Sequence, residues 1–343
     1  MVQKMKHWRQ LQGSTKERSS RLKSKIGKRI KSKSMSKRRT WILLWALLLG
    51  ISTSVSADAP LADARRGTGT LNRLDLVEAE FVQVFPRAGG GTAFARSPGQ
   101  DRAIVLIHGF NLAAISKESA NKIFFHSWQK PGSKLVEVLA GHGDVYAFAY
   151  SQNVAVEEIA ALRSMAENIH TMKKLGYGQI AVIGHSAGGL IARQFIEDQP
   201  DSGITKVIQV CAPNEGTDYA QWDRGGSNRQ REFMQSLTKE ARSKALQARA
   251  EKRIPESVEF VCIVGKGGEG SDGVVPMDSQ WPADLRAQGI PAVFLDATHF
   301  TIMRSEGPAK RMAELLQANL PRWNSRQLAE VVKEKLEVKR DSK

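Results

Sequence analysis

Short apolar runs alternate along this chain with longer stretches whose apolar positions recur every three or four residues. Residues 103–107, 144–150, 180–183, 206–212, 258–264 and 292–295 are rich in β-branched and aromatic side chains and predict buried strands. Runs without polar alternation, such as Ala103-Ile-Val-Leu-Ile107, fit strands covered on both faces. Residues 79–85 do alternate. Thr92-Ala-Phe-Ala95 follows them after Pro86 and Gly89-Gly-Gly91, so a β-hairpin is expected to start the sheet. Helical spacing covers residues 117–140, interrupted by Pro131-Gly132. It covers 154–175, through Ile159, Leu162, Met165, Ile169 and Met172, and stops at Gly176. It returns over 308–318. Strand–helix alternation of this kind predicts an α/β fold with a mostly parallel, doubly wound sheet.

Two segments depart from the alternation. Residues 213–256 are polar and charged, helical around 231–253 with Phe233, Met234, Leu237 and Leu246, and are expected as a helical cap inserted after the sixth strand. Residues 325–343 predict a charged helical tail with little to bury, more commonly solvated than bound to a partner. No internal repeat is visible. The expected organisation is a basic leader and export signal over 1–57, a catalytic domain over 58–324 and the tail.

The strongest local pattern is Ile180-Ala-Val-Ile-Gly-His-Ser-Ala-Gly-Gly-Leu190. An apolar strand runs into Gly184-His-Ser186-Ala-Gly188 and a helical pattern follows, which is the strand–turn–helix context of a G-x-S-x-G nucleophile elbow. A serine on so sharp a turn needs small neighbours two residues either side, and Gly184 and Gly188 supply them. The turn also opens a helix whose unpaired N–H groups can stabilise a developing oxyanion.

Charge changes the picture less than its total suggests. The net charge is +16, but residues 1–57 hold 15 Lys/Arg against one acid, Glu17, which leaves +2 for the rest. A general nucleic-acid-binding surface is therefore excluded. Lys37-Arg38-Arg39, the apolar run from Trp41 to Gly50 and Val55-Ser56-Ala57 form an n-region, an h-region and a cleavage site, predicting export with cleavage after Ala57. An apolar run of ten residues is short of the ~20 that a spanning anchor needs. The long stretch before it is explained by a translation start at Met35 or by a twin-arginine signal at Arg38-Arg39. Export permits disulfides. Yet Cys211 and Cys262 lie inside apolar runs, where thiols are mostly small packing residues. No Cys/His spacing suggests a zinc site. The glycine-rich run 265–270 lacks the helix behind it that a dinucleotide fingerprint requires.

A serine becomes nucleophilic when a base takes its proton and a carboxylate orients that base. Asp272, in the loop after residues 258–264, and His299, after residues 292–295, follow Ser186 in the order Ser…Asp…His. Glu269 and Asp296 are alternative carboxylates. Of the seven histidines only His299 follows both the serine and the acid. His108 and His185 sit beside strand ends within the oxyanion and elbow motifs. The oxyanion donors expected are the N–H groups of Phe110 and Ala187, so a change at Phe110 reports shape more than chemistry.

Ile107-His-Gly-Phe110, Gly184-His-Ser-Ala-Gly188, Ala212-Pro-Asn-Glu-Gly-Thr217 and Ser271-Asp-Gly-Val-Val-Pro276 together resemble the ordered signature of bacterial lipases and their relatives, including PGAP1-like serine esterases. The resemblance spans roughly residues 100–318. It implies an α/β-hydrolase fold, a triad at Ser186, Asp272 and His299, and an oxyanion hole at Phe110 and Ala187. Asn214-Glu215 departs from it, since lipases commonly carry His or Arg there, and the lid region is less apolar than an interfacial lipase would want. Both points favour an esterase over a long-chain triglyceride lipase. Some such lipases hold a structural calcium near the acid and histidine. Asp278 and Asp296 are the available carboxylates, but no ligand set accompanies them, so neither metal nor cofactor is expected. The expected function is an exported serine ester hydrolase acting on small-molecule or lipid esters, with transient contact at a membrane surface allowed and no nucleic-acid partner. Acyl transfer or amide or polymer-ester cleavage on the same residues is the alternative. A membrane-tethered, non-catalytic binding platform is a more distant one. Oligomeric state is not legible.

Overall fold

A computed structural model of the chain describes residues 77–86, 94–111, 122–222 and 230–337. The leader, both start-codon readings and the Gly89-Gly-Gly91 turn lie outside the described residues. The strands are β1 (Ala79–Phe85), β2 (Arg102–Ile107), β3 (Asp144–Tyr150), β4 (Gln179–His185), β5 (Lys206–Val210), β6 (Glu259–Gly265) and β7 (Ala292–Leu295). They form one sheet in the order β1-β3-β2-β4-β5-β6-β7. β1 runs antiparallel to β3 and every other pair is parallel.

The helices are α1 (Lys134–Ala140), α2 (Val156–Ala160), α3 (Arg163–Lys174), α4 (Ala187–Asp198), α5 (Arg231–Ser236), α6 (Lys239–Ala248), α7 (Met277–Gln280), α8 (Ala283–Ala287), α9 (Glu306–Gln317) and α10 (Ser325–Val332). Because strand side chains alternate, the sheet has two apolar faces. Val105, Ile107, Phe148, Val182, Val207 and Phe260 share one core cluster with residues of α2, α3 and α4. Ile104, Leu106, Ala147, Ile183, Ile208 and Val261 share the other with residues of α1 and α9. The doubly wound α/β architecture is as the sequence predicts. Among the described residues, no helix is long and apolar enough to cross a membrane.

Four elements differ from the pattern-based expectation. Of the expected strand at Thr92–Ala95, only Phe94 and Ala95 are described, and they join no ladder. Instead the Gln83 side chain takes the place of a strand, its Nε2–H donating to Ala95 O at 2.7 Å and its Oε1 accepting from Ala95 N–H at 2.9 Å. The insertion consequently follows the fifth strand of this sheet. Residues 154–175 form two helices, broken at Leu162 (φ −61°, ψ 126°), although no Pro or Gly marks the place. Ile159, before the break, and Leu162, at it, are both buried. Of residues 117–140, those described before the 3₁₀ turn Ser127–Gln129 are not helical. The tail also has something to bury: α10 and the π-helical turn Lys333–Glu337 set Leu328, Val331, Val332 and Leu336, each half-buried, against the main core.

One buried charge ties two layers together at the amino end of the sheet. Lys206, at the start of β5, donates from Nζ to the carbonyls of Leu315 (3.0 Å), Leu316 (3.2 Å) and Ala318 (2.6 Å) and pairs with Glu259 at 2.9 Å. It thereby satisfies carbonyls that the end of α9 leaves without intrahelical partners. Lys206→Met is expected to lower the unfolding free energy by about 2 kcal/mol in a urea titration, the scale of lost hydrogen bonds to a charged group. An unchanged midpoint would show that water replaces the ammonium.

Candidate active site

The loops at the carboxyl ends of β2, β4, β6 and β7 converge on Ser186. The serine sits between β4 and α4 with φ 55° and ψ −126°, a left-handed conformation costly for a residue with a Cβ. Its N–H donates to Val210 O at 2.8 Å, which fastens the turn to β5. The surrounding glycines are required by close approach. A Cβ on Gly184 would lie 2.5 Å from Gly188 O, and one on Gly188 would lie 2.4 Å from Ile107 O. A Cβ on Gly109 would lie 2.4 Å from Ser186 Cβ and 3.0 Å from its Oγ, so the loop after β2 lies directly against the serine.

Asp272 is fully buried in the loop after β6. Its Oδ1 accepts from the N–H groups of Val274 (2.8 Å) and Val275 (2.7 Å), and its Oδ2 accepts from His299 Nδ1–H at 2.6 Å. The His299 N–H in turn donates to Asp272 O at 2.9 Å, so the acid and histidine loops are joined twice. Burial pushes the Asp272 carboxyl up, but the neighbouring His299 and the two N–H donors outweigh it and hold the carboxyl below its ordinary range. The alternative carboxylates stand elsewhere: Glu269 is exposed, and Asp296 is exposed and paired with Lys266 at 2.9 Å.

His299, on the loop after β7, is 5% exposed and Ser186 6%. No hydrogen bond joins the two in this structure. The His299 ring lies 4.7 Å from that of His185, whose Nε2–H donates to His299 O at 3.0 Å. Burial drives His185 well below its ordinary pKa, so it is neutral. His108 is likewise neutral: burial lowers it to about 4, its Nδ1–H donates to Gly109 O at 2.7 Å, and its ring stacks on Tyr150 at 4.3 Å. The N–H groups of Phe110 and Ala187 donate no hydrogen bond among the described residues. The five residues expected from the sequence thus lie on loops that meet, with Asp272 and His299 in direct contact.

Several neighbours escape sequence reasoning. Cys211, in left-handed backbone (φ 51°), brings its Sγ within 4.8 Å of the Asp272 carboxylate and the His299 ring. Burial, reinforced by the adjacent Asp272, raises its thiol well above the ordinary range. It is not bonded to Cys262; the two thiols belong to opposite faces of the sheet, and Cys262 contacts Gln209 Oε1 at 3.6 Å. Asn214, where the resemblance anticipates His or Arg, is fully buried. It donates to Gln209 Oε1 (2.9 Å) and Gln280 O (3.2 Å) and accepts from Arg193 Nη1 (3.2 Å). Gln280 continues the network to Gly265 and Val275, beneath the acid loop. The insertion is seated by charge as well as by Phe233. Arg242 pairs with Glu157 and Arg249 with Glu197 at 3.0 Å, while Arg193 pairs with Glu197 at 2.8 Å and with Asp284.

The model of a family described as Domain of unknown function (DUF7379) matches residues 71–317. No curated protein matches the sequence. Among solved structures the chain is similar to the lipase BlEst2 of Bacillus licheniformis. The mature form superposes with a TM-score of 0.50 at 13% identity, covering 70% of this chain and 98% of that one. The propeptide form gives 0.51 at 14% identity, covering 72% and 55%. With the sheet order above, this likeness identifies the α/β-hydrolase fold.

A carboxyl held below its ordinary range adds stability that is present above its unfolded pKa of ~3.9 and is lost as pH falls through the folded value. Asp272→Asn is therefore expected to be less stable than wild type at pH 7, with the gap narrowing toward pH 3 in urea titrations. A gap that stays constant would mean that the ionised carboxylate contributes nothing to stability.

Proposed function

The chain belongs to the family described as Domain of unknown function (DUF7379), and within its α/β-hydrolase fold we propose a serine ester hydrolase that works through an acyl-enzyme. The observation that carries this reading is the 2.6 Å Asp272–His299 hydrogen bond beside a serine in left-handed backbone at the start of a helix. The four ordered motifs support the same reading and relate it to bacterial lipases and PGAP1-like serine esterases.

In the proposed reaction Ser186 Oγ attacks the ester carbonyl while His299 Nε2 takes its proton. Asp272 holds the Nδ1–H tautomer and stabilises the imidazolium that forms. The N–H groups of Phe110 and Ala187 receive the negative charge that develops on the carbonyl oxygen. The tetrahedral intermediate collapses, the alcohol leaves with the proton from His299, and the acyl group stays on Ser186. Water attacks the acyl-enzyme with His299 again as base, and the carboxylic acid departs. The Ser186–His299 contact, open here, closes as substrate binds, as such contacts commonly do. The insertion over residues 213–256 governs access and acyl selectivity, and its mostly polar surface favours small or moderately apolar esters. Residues 1–57 act as an export leader, which sets the reaction outside the cytoplasm.

Incubation of residues 58–343 with a fluorophosphonate is expected to label Ser186 alone, with label and p-nitrophenyl ester turnover both abolished in Ser186→Ala. Asp272→Asn is expected to lower kcat by about 10⁴-fold, because the imidazole loses its orienting acceptor. An active Ser186→Ala enzyme, free of contaminating esterase, would defeat the proposal.

A further inference from the structure

The loop after β2 holds itself against Ser186 by means that lie outside the Ser–His–Asp set. Gln152, just beyond β3 and 2% exposed, lays its side-chain amide along this loop. Its Oε1 accepts from Asn111 N–H at 3.0 Å and its Nε2–H donates to Gly109 O at 2.9 Å. A backbone N–H and a backbone C=O make opposite demands, so only one orientation of the amide fits. Gln230, 3% exposed and directly before α5, comes from the insertion. Its Nε2–H donates to Gln152 Oε1 at 2.8 Å and to Asn111 O at 3.2 Å.

The residue between the two bonded positions is Phe110. In a trans peptide the carbonyl of one residue and the N–H of the next point in opposite directions. Gln152, with His108 Nδ1–H, draws Gly109 O to one side of the loop and so turns the Phe110 N–H to the other. Gln152 also takes up the following N–H, that of Asn111, while the Phe110 N–H between them donates no hydrogen bond among the described residues. We propose that Gln152 and Gln230 are positioning residues for oxyanion stabilisation. Gln152 aims the Phe110 N–H, and Gln230 makes that aim depend on the insertion being seated. The inference rests on the hydrolase reading above and adds to it a coupling between the cap and the oxyanion site.

The test compares Gln152→Met, Gln152→Glu and Gln230→Met with wild type. The readouts are kcat and KM on a p-nitrophenyl ester, inhibition by an alkyl trifluoromethyl ketone and thermal melting. The ketone forms a tetrahedral oxyanion on the serine, so its affinity reports the donors directly. A misaimed oxyanion donor costs kcat on the order of 10²-fold. Gln152→Met is expected to lose that much in kcat with KM within threefold, and to weaken ketone binding in proportion. Gln152→Glu, which sets an anion against Gly109 O, is expected to lose at least as much, and Gln230→Met about 10-fold in the same two readouts. The proposal is overturned if folded variants keep kcat and ketone affinity within threefold of wild type, or if the loss falls on KM alone. Should both Gln152 variants fail to fold, Gln230→Met decides by the same criteria. A wild-type protein that neither labels with fluorophosphonate nor turns over ester would instead defeat the hydrolase reading itself.

Discussion

A serine held in left-handed backbone at the end of a buried parallel strand constrains everything packed around it. Ser186 turns the chain from β4 into α4 so tightly that its neighbours approach through backbone alone. Gly184 meets Gly188, Gly188 meets the carbonyls of Ile107 and His108, and Gly109 meets Ser186 itself. These contacts are to main-chain or first side-chain atoms, so no change of rotamer relieves an added methyl group. The adjacency of β2, β4 and β5 follows from the same constraint. The helix N-terminus and the loop after β2 must both reach the serine, and only neighbouring parallel strands deliver them there.

Convergence of loops at one sheet edge leaves backbone groups that no strand pairs. Uncharged amides meet most of them, because a carboxamide offers both donor and acceptor without the desolvation cost of a charge. Gln129 donates to the carbonyls of Leu106 and Phe148, Gln152 spans residues 109 to 111, and Gln280 serves Gly265 and Val275. The one fully buried carboxylate beside the serine, Asp272, is surrounded by donors instead. Charge also joins body and insertion, where Arg242 and Arg249 meet Glu157, Glu197 and Asp198. Buried pairs of this kind are costly to break singly, which suits a segment seated on the site with only a small apolar face of its own.

The mismatches between pattern and structure differ in kind. Residues 154–175 carry an unbroken helical period, yet the chain leaves the helix at Leu162 with no Pro or Gly there. The tail looks solvated residue by residue, but Leu328, Val331, Val332 and Leu336 lie on spacings that only a nearby apolar surface makes useful. The expected second hairpin strand yields to Gln83, whose side chain satisfies Ala95 as a strand would. In the tail a local signal competes with a contact distant in sequence, and the distant contact wins.

Local signals sufficed where the chemistry is local. Apolar runs of four to seven residues marked the six parallel strands, an alternating run marked β1, and G-x-S-x-G between a strand and a helix marked the elbow motif. Chain order put forward His299 and, for the acid, Asp272 with Glu269 and Asp296 as alternatives, because strand succession in a doubly wound sheet orders the loops that follow the elbow motif. Only the tertiary structure shows that Asp272 is buried against an imidazole while Glu269 and Asp296 are exposed. It alone placed Cys211 beside that carboxyl, Asn214 beneath the acid loop, and Gln152 with Gln230 behind Phe110. Glutamine and asparagine carry no periodicity and no motif; their value depends on which unpaired N–H or C=O lies within 3 Å, and that is known only once strands far apart in sequence are side by side.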